Sequence, residues 1–289
     1  MIIAPAGASR IHWPGLRLGS AAKTASIEAE PAYPMPRFSV CLFRCILLLA
    51  GATASATLFA QERQLPLATP AGLTLHQVEA APVSFKGRSA LNLTASPAAA
   101  STQPAPTKQE SGKKKSAAGA GESGRRDHLA LVDGLEFTDG TIEVDLAGEP
   151  AAGAAGGARG FVGVAFRVQP DRKTYDCFYL RPTNGRSDDQ ERRNHTAQYI
   201  SHPEHTWSAL REKTPSRYET YVDIVPAAWI HVKIIVAGDK ARLFVNHQEQ
   251  PTLIINDVKS GAGAKGGVAL WFEGSTIAHY ANLKIQPAR

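Results

Sequence analysis

The stretch "RGFVGVAFRVQPDRKTYDCFYLRP" (Arg159–Pro182) decides the fold. In its first run Val162, Val164, Phe166 and Val168 share one phase of a two-residue period; Phe161, Gly163, Ala165 and Arg167 share the other. Successive side chains of a strand point to opposite faces, so an unbroken apolar phase marks a strand with one face on a core. In the second run Phe178 and Leu180 take the core phase, with Asp176 at the strand edge. Cys177, Tyr179 and Arg181 take the opposite phase.

The same alternation recurs outward from this stretch. "GLEFTDGTIEVDLAG" places a turn at Asp139-Gly140 ahead of a strand from Thr141 to Leu146, and "WIHVKIIVAGDKARLFVN" reads as two strands around a Gly238-Asp239 hairpin turn. In "GGVALWFEG", Val268, Leu270 and Phe272 are core, while Ala269, Trp271 and Glu273 look outward. Short strands are also expected between Leu73 and Leu93. The longest helical element expected is one turn over Ser208–Lys213. About ten or more strands in succession imply an antiparallel sandwich or barrel, and the lack of an internal repeat argues against a propeller or solenoid.

The chain has 289 residues, and composition divides it. Residues 35–60 have the layout of a secretory leader: Arg37 and Arg44, an apolar run from Cys45 to Ala52, then small residues with cleavage after Ala54, Ala56 or Ala60. This predicts a periplasmic or secreted protein, with residues 1–34 an extension of the gene model. The apolar run is too short to span a bilayer, so no membrane span is expected. Residues 61–95 read as the first strands of the sandwich, 96–126 as a disordered low-complexity insert of Ala, Pro, Ser, Gly and Lys, and 127–289 as the rest of the sandwich. Only Cys177 lies beyond the leader, so no intrachain disulfide holds the fold. The formal net charge is +6, but residues 1–60 carry +3 and 96–126 carry +4, which leaves the rest at −1. A nearly neutral body excludes an electrostatic case for nucleic acid.

Two strings, "FTDGTIEVDL…RGFVGVAFRVQPDRKTYDCFYLRP" and "WIHVKIIVAGDKARLFVN…GGVALWFEGSTIAHYANLKI", resemble the concanavalin A-like lectin/glucanase superfamily. A strand ends in Phe-Arg, a Trp opens a hairpin that ends in Val-Asn, and the last strand carries an Asn-Leu pair. The laminin-G-like and 3-keto-disaccharide hydrolase domains are the most similar branches. The resemblance implies an all-β jelly-roll sandwich of two curved antiparallel sheets. It further implies a carbohydrate ligand on the concave face or at loops along its edge.

On that implied face alternation gathers Arg167, Tyr179, Arg181, Trp271 and Glu273. Aromatic rings pack on the C–H faces of a pyranose and planar polar groups bridge neighbouring hydroxyls, so this mixture suits a sugar. The polar stretch after Pro182 is expected to form a wall of the site, with Asn184, His195 and Gln198 as further ligand contacts. Two function classes stay open: a glycan-binding module, and a glycoside hydrolase using concave-face carboxylates. For the second, Glu273 and Asp188 are the candidate acids. Glu143 and Asp145 resemble part of the Glu-x-Asp-x-x-Glu of bacterial laminarinases, but the third Glu is missing at its spacing, so they read as a solvent-facing strand edge. His195, His202 and His205 lack the ligand pattern of a zinc site, so no metal site is assigned. No cofactor is expected, with room left for a structural calcium. Cys177 reads as a small core filler, not a nucleophile.

Overall fold

The computed structural model describes residues 62–97 and 128–288. The leader, residues 1–34 and nearly all of the low-complexity insert lie outside those residues. The described residues form fifteen strands and three short helical turns. The architecture is an all-β jelly-roll sandwich of two antiparallel sheets. The larger sheet runs β13 (Leu253–Ile255), β12 (Lys240–Val245), β11 (Ile230–Ala237), β6 (Gly140–Pro150), β15 (Thr276–Pro287), β4 (Arg88–Ala95), β3 (Val78–Phe85), with β1 (Arg63–Leu65) on β15. The smaller runs β10 (Glu219–Thr220), β9 (Ala197–His202), β8 (Tyr175–Leu180), β7 (Val162–Val168), β14 (Gly267–Phe272), β5 (His128–Val132), β2 (Leu73–His76).

The core lies between the sheets and follows the expected phase. Val162 Cγ1 sits where a Cβ on Gly148 of β6 would fall, 2.8 Å from it, so the Val162 phase of β7 points at the larger sheet. Val164, Phe178, Leu270 and Phe272 share that phase and are buried with Ile142, Val144 and Leu146 opposite. Tyr280 of β15 ties the layers through its hydroxyl, which donates to the Gly163 carbonyl at 3.0 Å and lies 2.5 Å from the Trp271 carbonyl. Burial holds that phenol well above its ordinary pKa, with the backbone contacts opposing. It therefore stays a neutral donor.

Arg167 departs from the expected phase. Its neighbours along β7, Phe166 and Val168, pair with Val268 and Gly267 of β14, which leaves Arg167 as the extra residue of a bulge. Its φ of 54° turns the side chain off the outward face. A Cβ on Gly266 would fall 2.5 Å from the Arg167 carbonyl carbon, so the bulge requires glycine there. The guanidinium engages all five donors within the protein. Nε donates to the Thr138 carbonyl (3.0 Å), Nη1 to Ser260 Oγ (3.0 Å) and the Gly261 carbonyl (2.8 Å), and Nη2 to Asp139 Oδ1 (3.1 Å) and the Gly238 carbonyl (2.8 Å). The ligand role expected of Arg167 is therefore corrected. It clamps three loops at one end of the sandwich, because a bulge breaks the alternation on which the expectation rested.

Arg167→Met should cost about 3–5 kcal/mol, since it strands the Asp139 carboxylate and three carbonyls. Urea unfolding measures this; a loss below about 1 kcal/mol would show that the clamp is dispensable.

Candidate functional site

Opposite the core phase, the outward face of the smaller sheet brings Trp271, Tyr179 and Gln198 into one row. Gly163 is the cross-strand partner of both Trp271 and Tyr179, and Gln198 partners Tyr179 on its far side. A Cβ on Gly163 would lie 2.6 Å from the Tyr179 Cβ, so only glycine lets the two rings meet, centroids 5.0 Å apart. Trp271 Nε1 donates to the Tyr175 hydroxyl at 3.1 Å. Arg181 continues the row beyond the end of β8. It donates through Nη2 to the Tyr179 hydroxyl (2.7 Å), through Nη1 to the His195 carbonyl (2.8 Å), and through both to Gln198 Oε1 (3.4 and 3.3 Å). Its guanidinium stands 4.8 Å from the Tyr179 ring centre, within cation–π range. These four residues are buried, so they form a cross-linked support and not the open floor that alternation suggested.

The opening lies past Arg181. A cavity of about 240 Å³ is built from loops at this end of the sandwich. The β6–β7 loop contributes Arg159 and Phe161, and the 3₁₀ turn Pro182–Asn184 contributes Asn184. A short helix, Gln190–Asn194, contributes Arg192, and His195 caps its C-terminus. A second, Trp207–Lys213, contributes Trp207 and Arg211. Capping explains why these helices form in so polar a segment. The Asp189 carboxylate accepts from the amides of Glu191 (2.9 Å) and Arg192 (3.2 Å), and Thr206 Oγ1 accepts from Ala209 N (3.2 Å). Trp207 and Arg211 are four residues apart and share a helix face, with the guanidinium 4.7 Å from the indole centre.

Behind the cavity wall lies Glu219, its side chain 3% exposed. Arg211 grips it with two bonds, Nε to Oε1 at 3.0 Å and Nη2 to Oε2 at 2.6 Å. His195 Nδ1 stands 2.8 Å from Oε2. Burial pushes the His195 pKa down and outweighs the opposing pull of Glu219; Arg211 and Arg181 push the same way as burial. Arg159 is also lowered, first by burial and then by the charges of Arg192 and Arg181. Asn184 Oδ1 and Arg192 Nε are buried without a hydrogen-bond partner among the described residues.

Of the residues expected to touch ligand, Arg181, Asn184 and His195 line this cavity together. Tyr179 and Gln198 brace Arg181 from behind, and Trp271 sits two strands from Tyr179, across β7. The candidate acids lie elsewhere. Glu273 is held in its own turn by the amide of Ser275 (3.1 Å) and by the Ser275 hydroxyl, and Asp188 is exposed beside the first helix. Glu143 and Asp145 lie on the larger sheet, where His231 Nδ1 contacts Asp145 at 2.9 Å. His202 and His205 line a different hollow from His195, and among the described residues no group of three His, Cys, Asp or Glu is placed to hold a metal ion. Among those residues no helix is long and apolar enough to cross a membrane. The sequence reading missed Arg159, Arg192, Trp207, Arg211 and Glu219. Only the Trp207/Arg211 spacing carried a signal, and the expected turn began one residue too late to include Trp207.

In sequence the chain matches no family model and no curated protein. In structure it is similar to a carbohydrate binding module from Bacillus subtilis (TM-score 0.45, 14% identity, 74% of this chain and 96% of that one). It is also similar to a Bacillus subtilis protein of unknown function with a galectin-like fold (0.45, 12%, 78% and 94%). A third likeness is to the Bacillus licheniformis beta-glucanase (0.39, 12%, 79% and 98%).

The depressed His195 pKa predicts a pH effect. The unfolded chain titrates its histidines near about 6.5. Below that value it therefore takes up a proton that folded His195 refuses, and stability is lost as pH falls from about 6.5 toward the folded value. The urea midpoint should fall more steeply between pH 7.5 and 5 in the parent than in His195→Gln. Equal slopes would show that His195 is not the group responsible.

Proposed function

We propose that this protein binds carbohydrate in the loop-end cavity and does not cleave it. The observation that carries this reading is the convergence of two aromatic rings, Phe161 and Trp207, with the planar polar groups of Arg181 and Asn184 on one small cavity. Drug-sized ligands take about 300–1,000 Å³, so about 240 Å³ suits a single sugar ring with the rest of the glycan outside. Ring C–H faces pack on aromatics, and the unpaired Asn184 Oδ1 is an acceptor for a sugar hydroxyl.

Binding without cleavage is favoured by the carboxylates. Glycoside cleavage uses two acids flanking the bond. Among the described residues none lines the cavity, and Glu219, behind its wall, is held by two bonds from Arg211. The leader-like residues 35–60 support placing this binder in the periplasm or outside the cell.

The test is to measure binding and reducing-sugar release side by side on a polysaccharide panel. Trp207→Ala should weaken binding about 10-fold, or about 1.4 kcal/mol, while the protein stays folded. Release of sugar by the parent, abolished in Glu219→Gln, would instead establish a hydrolase.

A further inference from the structure

Four guanidinium groups, those of Arg159, Arg181, Arg192 and Arg211, line a cavity of about 240 Å³. One buried carboxylate, Glu219, stands against them, and it is committed to Arg211. Arg181 donates to the Tyr179 hydroxyl, Gln198 Oε1 and the His195 carbonyl, which fix it at the back of the cavity. Arg159 bonds through Nη1 to the carbonyls of Gly156 (2.7 Å) and Ala158 (2.9 Å) and has no ion pair among the described residues. Arg192 Nε is buried with no acceptor among the described residues, and Asn184, 3% exposed, presents an unpaired Oδ1. Glu191, 86% exposed, sits at the rim beside His195. Converging like charges repel one another, and a buried donor without a partner loses its hydration with nothing in return. Both deficits are met by the same kind of group, a planar anion with two acceptor oxygens.

We infer that the sugar ring held in this cavity carries a carboxylate, a uronic acid bound between Arg159 and Arg192 with a ring hydroxyl on Asn184. The inference rests on the glycan-binding reading above and deepens it. A carboxylate matches the fork of a guanidinium in two parallel bonds, whereas a tetrahedral sulfate matches it less closely. Tyr179, Gln198 and the His195 carbonyl fix Arg181 at the back of the site. The long-range part of the attraction comes from Arg159 and Arg192, which have no acid bonded to them among the described residues.

The experiment titrates the full chain with a uronic acid oligosaccharide, its methyl ester, the neutral oligosaccharide of the same linkage and a sulfated form, at low and at physiological salt. The acid should bind at least about 10-fold more tightly than the ester, and the gap should narrow with salt. Arg159→Gln and Arg192→Gln should each erase about that factor for the acid and weaken the ester far less. Equal binding of acid, ester and neutral sugar, all weakened by Trp207→Ala, would overturn the carboxylate and keep the sugar site. Sulfated sugar binding as tightly as the acid would also overturn the carboxylate. Preference for the acid that survives both arginine substitutions would place the charge recognition elsewhere and overturn the assignment. Failure of every probe, acid and neutral alike, would sink the glycan reading itself.

Discussion

The clamp made by Arg167 is the constraint on which one end of the sandwich depends. A single side chain satisfies carbonyls from the β5–β6 connection, the β11–β12 turn and the loop before β14, as well as the Asp139 carboxylate. Burying a guanidinium is tolerable only when its charge is paired and its donors are filled, and here both conditions hold. The bulge supplies the geometry. An arginine in regular alternation on β7 would point away from the larger sheet, whereas the left-handed φ turns it among the loops.

The two ends of the smaller sheet use the same residue type in opposite ways. At the Val168 end of β7 the arginine is saturated by the protein. At the Val162 end, Arg159 and Arg192 face other arginines and few acceptors. A cluster of that kind is not a source of stability: neighbouring positive charges raise the energy of the folded chain in the absence of a ligand. Its persistence beside a well-packed core fits the general pattern in which local instability is concentrated at binding sites and offset elsewhere.

The core was legible in the sequence because apolar alternation and burial have the same cause. Val162, Val164, Phe166, Phe178, Leu180, Val268, Leu270 and Phe272 all take the inward phase. Alternation failed where the backbone itself departs from regularity. The residues that carried the family resemblance turn out to be such places. Arg167, Asn246 and Asn282 have φ values of 54°, 52° and 56°. Asn246 Oδ1 accepts from His231 N at 3.2 Å, and Asn282 sits at the register shift of β15 and donates to Asp145 at 2.9 Å. These positions report the turns and bulges of the sandwich, which is why the resemblance was informative about fold and mute about activity. The cavity was only partly legible for a different reason. Its walls come from the β6–β7 loop, the 3₁₀ turn and two short helices, and no sequence period relates Arg159 to Arg192 or Trp207 to Phe161.

Arg181 joins the two regimes. It follows the outward phase of β8, so alternation places it correctly, yet it reaches past the strand end into the cavity wall. Tyr179 stacks under its guanidinium, while Gln198 and the His195 carbonyl hold its donors, and Tyr179 in turn packs on Trp271 over Gly163. The aromatic row expected to contact ligand thus sits one step removed, fixing the orientation of a cation that lines the cavity. This arrangement transmits the rigidity of the sheet to a site made of loops. A planar fork needs a fixed plane to distinguish one anion shape from another, and lysine at this position would keep the charge but lose the plane. The sheet therefore fixes the orientation of Arg181, and the loops build the cavity around it.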